Sequence, residues 1–368
     1  VRYEANGALD GSFGGTGIVI TSSVTTTQDY PFSMAVQNNG KILVGGYSYV
    51  NSDRPGMIAR YKTDGSLDSS FGTGGIVATG VTSTQGELLV HDSGRIIAVG
   101  GYDDGGGINV ALKGFNEDGT VDSSFGAAGT VAAPPDFTAY ASAYQADDKI
   151  VVAGARYSDI SRYYEFAVAR YLPDGTLDTS FDGDGISALP LGSGHAFGRD
   201  VVIQDDGKIV VGGYINSATN DLVLVRYNPD GSLDTSFDGD GILLTSPFDN
   251  QGIYALALQD DDKIVGSGTI HDGSNSRFAV FRFNTNGSFD TTFSGDGIAL
   301  PAGGSTGSRG VAIEPGGRIV AVGSAPLGNA SQFYVVGLDT DGNPDASFGT
   351  SGIVTTSIDV STDFAFGV

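Results

Sequence analysis

The chain has 368 residues, a formal net charge of −24 at pH 7, 58 glycines and no cysteine. So acidic a chain lacks the basic surface that binding to nucleic acid or to an anionic membrane requires. The lack of cysteine excludes disulfides and thiolate sites, and the lack of any apolar run of about 18 residues argues against membrane insertion.

One motif recurs along the whole chain. It combines a Leu-Asp-x-x-Phe anchor, or a close variant of it, with a glycine-rich tail. The Asp of the motif stands at Asp10, Asp68, Asp122, Asp178, Asp234, Asp290 and Asp345. Successive copies are 54 to 58 residues apart, a spacing typical of repeat proteins and, with four strands per repeat, of propeller blades.

Each repeat is predicted to contain four strands, named a to d in chain order after the anchor. In the repeat that follows Phe181, the predicted strands are residues 185–189, 200–204, 208–213 and 222–227. The Asp205-Asp206-Gly207 turn between strands b and c predicts a tight antiparallel hairpin. Strand c is apolar at consecutive positions, as in Ile209-Val210-Val211, which is typical of a strand covered on both faces.

The motif itself lies in the connection from strand d to strand a. We expect its Phe to be buried and its Asp to accept backbone hydrogen bonds within the loop. The predicted phenylalanine anchors are Phe13, Phe71, Phe125, Phe181, Phe237, Phe293 and Phe348.

These elements predict an all-β fold, a single β-propeller domain spanning residues 1–368. We expect seven four-stranded antiparallel blades, closed by pairing the N- and C-terminal strands in one blade; six blades is the alternative. Strand c occurs six times, so the closing blade would lack one strand. We therefore expect a fragment of a longer protein that continues beyond Val368, or a gap that is filled in another way.

Two phrases of the repeat carry a family resemblance. They are Asp-Gly-Lys-Ile-Val-Val-Gly-Gly at residues 206–213 and Arg-Tyr-x-x-Asp-Gly-x-Leu-Asp-x-x-Phe at residues 226–237. They resemble the delta-60 repeat family of bacterial secreted and cell-surface proteins, which implies a β-propeller module in an extracellular or cell-surface location and no particular ligand. In two copies Gly114 and Gly337 replace the Arg, and there we expect the Arg–Asp pairing to be lost.

The repeats agree in their b–c and d–a loops and differ in their c–d loops. Binding is therefore predicted at the end of the blades where the a–b and c–d loops emerge. Tyr beside Arg is typical of surfaces that contact glycans or proteins, although these tyrosines could simply cover the rim of the sheet. The candidate ligand-binding residues are Arg156, Tyr157, Arg162, Tyr163, Tyr164, His195, Arg199, His271, Arg277 and Arg309.

The Asp-Gly-Asp-Gly segments are weak candidates for binding Ca²⁺, through Asp182 with Asp184 and Asp238 with Asp240. Calcium loops need six to eight oxygen ligands and usually a closing Glu, so turn formation is the stronger interpretation, and no other cofactor is expected. The sequence has no zinc-ligand spacing and no Gly-x-Ser-x-Gly nucleophile elbow.

The sequence thus predicts a non-catalytic binding or display module that contacts a glycan or protein partner through the varied loops. One alternative is a propeller enzyme that acts on a polysaccharide or a lactone through a central channel. The other is a structural spacer without a partner.

Overall fold

The computed structural model describes most of the chain, in two compact units. The described residues are 1–21, 28–49, 54–103, 108–132, 134, 136–217, 220–273, 275–303, 306–328, 330–358, 365 and 367–368. The first unit comprises Val1–Arg2, Leu9–Arg162 and Ala167–Ala188, and the second comprises Tyr3–Ala8, Tyr163–Phe166 and Leu189–Val368. Within the described part of the chain, no helix has the length and apolar character of a membrane span.

The first eleven strands form two sheets. They are β1 (Gln28–Val36), β2 (Ile42–Tyr49), β3 (Pro55–Tyr61), β4 (Ile76–Val90), β5 (Ile96–Asp103), β6 (Ile108–Phe115), β7 (Thr130–Ala132), β8 (Phe137–Tyr144), β9 (Ile150–Tyr157), β10 (Tyr164–Tyr171) and β11 (Ile186–Leu189). One sheet runs from β1 to β7 in order, and the other has the order β11-β10-β9-β8. The register of β4 shifts between Thr82 and Glu87, so its first part pairs with β3 and its second part with β5. The seven-stranded sheet therefore contains two four-stranded blades that share β4.

The other twelve strands form three four-stranded antiparallel sheets. They are β12 (His195–Ile203), β13 (Ile209–Asn216), β14 (Asn220–Tyr227), β15 (Ile242–Thr245), β16 (Asp249–Leu258), β17 (Ile264–His271), β18 (Ser276–Phe283), β19 (Ile298–Ala299), β20 (Thr306–Ile313), β21 (Ile319–Leu327), β22 (Ala330–Leu338) and β23 (Ile353–Thr356). Each sheet keeps chain order, with strands b, c and d of one repeat followed by strand a of the next.

The described strands make six four-stranded antiparallel blades, so the prediction of seven blades is wrong and the alternative of six is correct. In residues 1–21, strand-like pairing is confined to isolated bridge positions at Tyr3 and Leu9. This copy of the motif keeps its anchor, because Arg2 Nε lies 2.7 Å from Asp10 Oδ2. The six copies of strand c in the sequence correspond to the six blades.

The core lies between successive blades and is built largely from strand c. In β13, all residues from Ile209 to Gly213 are buried, which confirms the prediction from their apolar run. Leu224 of β14 packs with Phe281 and Phe283 of β18 in one cluster, so side chains of neighbouring blades interdigitate. All seven predicted phenylalanine anchors are also buried.

Each motif is held by an ion pair stacked on its phenylalanine anchor. Arg226 Nε lies 2.8 Å from Asp234 Oδ2, and the guanidinium carbon lies 4.7 Å from the centre of the Phe237 ring. The second carboxylate oxygen accepts hydrogen bonds from the Ser236 N–H at 3.0 Å and from its hydroxyl at 2.7 Å. This confirms the predicted role of the Asp. The same ion pair occurs as Arg2–Asp10, Arg60–Asp68, Arg170–Asp178 and Arg282–Asp290.

The expected loss of this pairing at Gly114 and Gly337 is wrong. An arginine at the start of strand c takes over, because Arg95 Nε lies 3.0 Å from Asp122 Oδ2 and Arg318 Nε lies 2.6 Å from Asp345 Oδ2. In the other described blades this strand-c position holds Lys41, Lys149, Lys208 and Lys263. In these two repeats, the arginine that pairs with the Asp therefore lies on strand c and not on strand d.

We predict that Asp290→Asn destabilises the protein far more than Asp10→Asn. The side chains of Asp290 and Arg282 are 4% and 5% exposed, whereas those of Asp10 and Arg2 are 15% and 31% exposed. Removing one partner of a buried pair leaves the other buried and uncompensated, which costs about 3 kcal/mol or more. Urea denaturation of both variants measures the difference, and equal losses of stability would contradict the account.

Stability is expected to fall as the pH drops from about 4 to about 2. Burial opposes ionisation of Asp290, but hydrogen bonds from Thr292 and Lys263 and the charge of Arg282 lower its pKa to about 2. The unfolded chain takes up this proton near pH 4, so the stabilisation is present above about pH 4 and is lost as the pH falls through about 2. Urea denaturation across this range should show a smaller loss for Asp290→Asn. A loss equal to that of the unmodified protein would show that Asp290 is not responsible.

Candidate functional site

The predicted binding residues belong to the end of each blade that carries the a–b and c–d connections, which we call the variable face. In the blade of β12 to β15, this end is formed by residues 190–194 before β12 and by the turn between β13 and β14. The repeated motif and the b–c turns lie at the opposite end of the blade, because the strands are antiparallel. Of the predicted varied loops, residues 50–53, 104–107, 218–219, 274 and 329 lie outside the described residues.

One strand, β12, begins at this face and places three alternate side chains on one side of the sheet. β12 begins at His195, earlier than the predicted start at residue 200, so His195 and Arg199 lie on a strand and not in a loop. His195, Phe197 and Arg199 are half-buried and alternate with buried residues, as expected for one side of a strand. A register shift after Gly198 inserts one residue and returns Val201 to the core.

Six rings of the second unit follow one another in contact, and we call them the aromatic strip. Their centroid distances are 5.3 Å for Tyr163–His195, 5.5 Å for His195–Tyr164, 5.8 Å for Tyr164–Phe197, 5.3 Å for Phe197–Tyr214 and 5.8 Å for Tyr214–Tyr254. Phe197 and Tyr214 are direct cross-strand partners on β12 and β13. All six side chains are half-buried, so the strip offers a partly accessible apolar surface with polar groups at the edges of its rings.

His195 is oriented by the backbone next to it. The Tyr164 N–H donates a hydrogen bond to His195 Nδ1 at 3.1 Å. In the neutral imidazole the proton is therefore on Nε2. The ring can thus donate a hydrogen bond from its other nitrogen.

Three further predicted residues belong to the first unit. Arg156 and Tyr157 end β9, where the Tyr157 N–H donates to the Asp136 carbonyl at 2.9 Å. Arg162 has a φ of 64° and donates its N–H to the Ser158 carbonyl at 2.8 Å, which closes a turn. Its guanidinium lies 3.9 Å from a carboxylate oxygen of Asp159, and both side chains are exposed. Such a surface ion pair contributes little to stability.

Arg199 and Arg309 converge on one tyrosine ring. Their guanidinium carbons lie 5.7 Å and 4.9 Å from the centroid of the Tyr254 ring, at the end of the aromatic strip. Desolvation is the largest cause of a lowered pKa of Arg309; Tyr254 opposes this shift, and Arg199 adds to it. The two cations are therefore close enough to repel each other.

Asp200 follows Arg199 in the chain, but its carboxylate faces the next blade. It accepts the Leu256 N–H at 2.5 Å and the Val201 N–H at 2.8 Å. Burial raises its pKa to about 7 against the effect of these hydrogen bonds.

The remaining predicted residues lie on the hairpin of β17 and β18. His271 and Arg277 stand at its end, and Arg277 lies 3.8 Å from Asp272. Among the described residues, neither of them makes a ring contact or an ion pair with the aromatic strip. The structure thus brings together five of the ten predicted residues, Tyr163, Tyr164 and His195 in one group and Arg199 with Arg309 in another.

Sequence reasoning missed Phe197, Tyr214 and Tyr254, which supply half of the strip. One signal was available for Tyr254, since it occupies the same repeat position as Arg199 and Arg309. Phe197 and Tyr214 become significant only when the register of β12 and β13 is known.

The first unit has a smaller cluster at similar repeat positions. The Tyr47 ring lies 5.1 Å from Tyr30 and 5.4 Å from Phe32, and the Arg54 guanidinium carbon lies 5.6 Å from its centroid. Aromatic and cationic side chains therefore meet on the blade of β1 as well.

The predicted calcium candidates act as turn residues in this structure. Asp184 and Asp240 each accept the backbone N–H two residues later at 2.9 Å, and Asp182 and Asp238 adopt positive φ angles. Within the described residues, no group of three or more His, Asp or Glu side chains is placed to hold a metal ion.

Five segments of the chain match the family described as "Domain of unknown function (DUF5122) beta-propeller", at residues 37–71, 145–181, 204–237, 259–293 and 315–348. Each segment runs from the b–c turn through strands c and d to the phenylalanine anchor. It therefore contains both partners of the Arg–Asp ion pair. The chain is a β-propeller repeat protein. No curated protein matches its sequence.

Solved structures with a similar fold include enzymes and proteins of unknown function. A catalytically inactive virginiamycin B lyase from Staphylococcus aureus with quinupristin is 11% identical, with a TM-score of 0.53 over 90% of this chain and 94% of that chain. A PL25 ulvan lyase bound to -[GlcA(1-4)Rha3S]- is 10% identical, with a TM-score of 0.50 over 87% and 81%. A protein of unknown function from Dyadobacter fermentans DSM 18053 is 12% identical, with a TM-score of 0.50 over 83% and 93%. At these identities, the likeness shows the fold alone.

We predict that Asp200 makes stability decrease as the pH rises from about 4 to about 7. Its pKa is near 4 in the unfolded chain and about 7 in the folded protein. The stabilisation from its protonated form is therefore complete below pH 4 and is lost as the pH rises through about 7. In denaturation curves of Asp200→Asn, this decrease of stability between pH 4 and pH 7 should be absent. An unchanged pH profile in the variant would show that Asp200 is ionised across the range.

Proposed function

We propose that the protein is a non-catalytic binding module whose variable face contacts a glycan. The observation that carries the proposal is the aromatic strip, a series of six half-buried rings that begins at the variable face with Tyr163 and His195 and continues along β12, β13 and β16. The resemblance to delta-60 repeats supports a place in a secreted or cell-surface protein of a bacterium, where such a module would serve adhesion or display.

The chemistry of the strip suits a sugar ligand. Tyrosine and phenylalanine rings pack against the apolar C–H faces of sugars, and they lose little conformational entropy on binding. Tyrosine hydroxyls and the Nε2–H of His195 can exchange hydrogen bonds with sugar hydroxyls. A few polar groups around a mostly apolar surface are typical of ligand sites.

An enzymatic role on a polysaccharide is the second candidate. Two solved structures of similar fold are lyases, and His195 and the tyrosines are residue types that serve as general bases. A lyase would convert a bound polysaccharide to unsaturated products, and a binding module would release it unchanged. A protein partner at the same face is a further alternative, and a spacer would bind nothing there.

Replacement of Tyr163 and Tyr164 by Ala is expected to weaken glycan binding. Each lost ring contact costs about 1 kcal/mol, so each replacement should raise the Kd by about fivefold. A glycan array identifies the ligand, and calorimetry with the best ligand measures the Kd of the unmodified protein and of both variants. The matched control is Phe289→Leu, which removes an aromatic ring at the motif end of a blade, where other repeats carry Leu67, Leu177 or Leu233.

Unchanged affinity in both tyrosine variants would remove the aromatic strip from consideration. A loss of affinity in Phe289→Leu of the same size would show that the effect comes from reduced stability and not from a lost contact. Formation of unsaturated products during the binding assay would favour the lyase.

A further inference from the structure

Arg199, Tyr254 and Arg309 share one position in three successive repeats. Each lies within the register shift of a strand b, in β12, β16 and β20 respectively. Because a bulged residue is freed from the regular alternation of the strand, its side chain can be aimed differently from its neighbours. The three bulges here bring two guanidinium groups to one phenol ring.

The two arginines form a local concentration of positive charge in an acidic chain. Both guanidinium carbons lie within 6 Å of the Tyr254 centroid, at 5.7 Å and 4.9 Å. Among the described residues, no carboxylate forms an ion pair with Arg309, and the charge of Arg199 adds to the desolvation that lowers the pKa of Arg309. An anion placed between the two groups would relieve their repulsion.

We propose that Arg199 and Arg309 bind the negatively charged group of an acidic sugar, a carboxylate or a sulfate, while Tyr254 packs against the sugar ring. This inference rests on the proposed glycan-binding function and names the class of its ligand, an anionic polysaccharide. Planar guanidinium groups suit these anions, since each offers two parallel N–H donors to a pair of oxygens. With a net charge of −24, the rest of the protein repels such polymers, so binding depends on these two residues.

Inorganic sulfate is the first probe, because it tests the arginines without a sugar. NMR of the arginine side-chain N–H signals during a sulfate titration should show saturable shifts in the unmodified protein. The shifts should be lost in Arg309→Gln and retained in Lys62→Gln, which removes an exposed cation at the motif end of a blade. Thermal unfolding confirms that both variants are folded. Absence of saturable shifts, or shifts that persist in Arg309→Gln, would overturn the proposal.

Comparison of charged polymers with their neutral forms shows whether the bound group is a carboxylate or a sulfate. Polygalacturonate and dextran sulfate are compared with methyl-esterified polygalacturonate and neutral dextran by calorimetry. We expect at least one charged polymer to bind the unmodified protein with about tenfold higher affinity than its neutral form. In Arg309→Gln this difference in affinity should disappear. The charged form that binds identifies a carboxylate or a sulfate as the ligand group.

The two proposals fail in different ways. If neutral and charged glycans bind with equal affinity, and if this binding depends on Tyr163 and Tyr164, the proposed anion site is wrong and the proposed glycan-binding function stands. If sulfate shifts the arginine signals but no glycan binds, the anion site stands and the glycan-binding function is wrong.

Discussion

The structure depends on the stacking of an arginine on a phenylalanine while the same arginine pairs with the Asp of its loop. In the Arg226–Asp234–Phe237 set, one carboxylate oxygen binds the guanidinium and the other closes the loop through Ser236. The next residue, Asp238, donates its N–H to the Asn286 carbonyl of the following repeat at 2.9 Å. One contact set therefore closes a loop and also connects it to the next blade.

This constraint explains why one end of the blades is uniform and the other is not. At Gly114 and Gly337 the strand-d arginine is absent, yet Arg95 and Arg318 restore the contact with the Asp from strand c. The contact with the Asp is retained while the source of the cation changes, and the guanidinium carbons of Arg95 and Arg318 lie 5.9 Å and 5.8 Å from the Phe ring centroids, against 4.7 Å for Arg226. Among the described residues, the opposite end has no Arg–Asp ion pair that also stacks on a Phe ring, so its residues can vary without loss of the core. The same bulge position can then hold Arg199, Tyr254 or Arg309.

The repeat, the four strands of each blade and the buried phenylalanine anchors could be predicted from the sequence, because each depends on a local pattern that recurs many times. The predicted blade count was wrong because each copy of the motif was counted as a blade, whereas the six copies of strand c match the six blades. The candidate site was predictable in part. Tyr163, Tyr164 and His195 were found from composition, whereas Phe197 and Tyr214 depend on the register of β12 and β13. The pairing of Arg95 with Asp122 also depends on which strands are neighbours.

Native-state hydrogen exchange followed by NMR tests the central claim most directly. The N–H groups of Asp234, Phe237, Asp290 and Phe293 donate hydrogen bonds inside the motif. They should exchange only through global unfolding, whereas amides of the variable face such as that of Arg162 should exchange through local opening. Asp290→Asn is expected to accelerate exchange in the motif. Motif amides that exchange as fast as those of the variable face in the unmodified protein would contradict it.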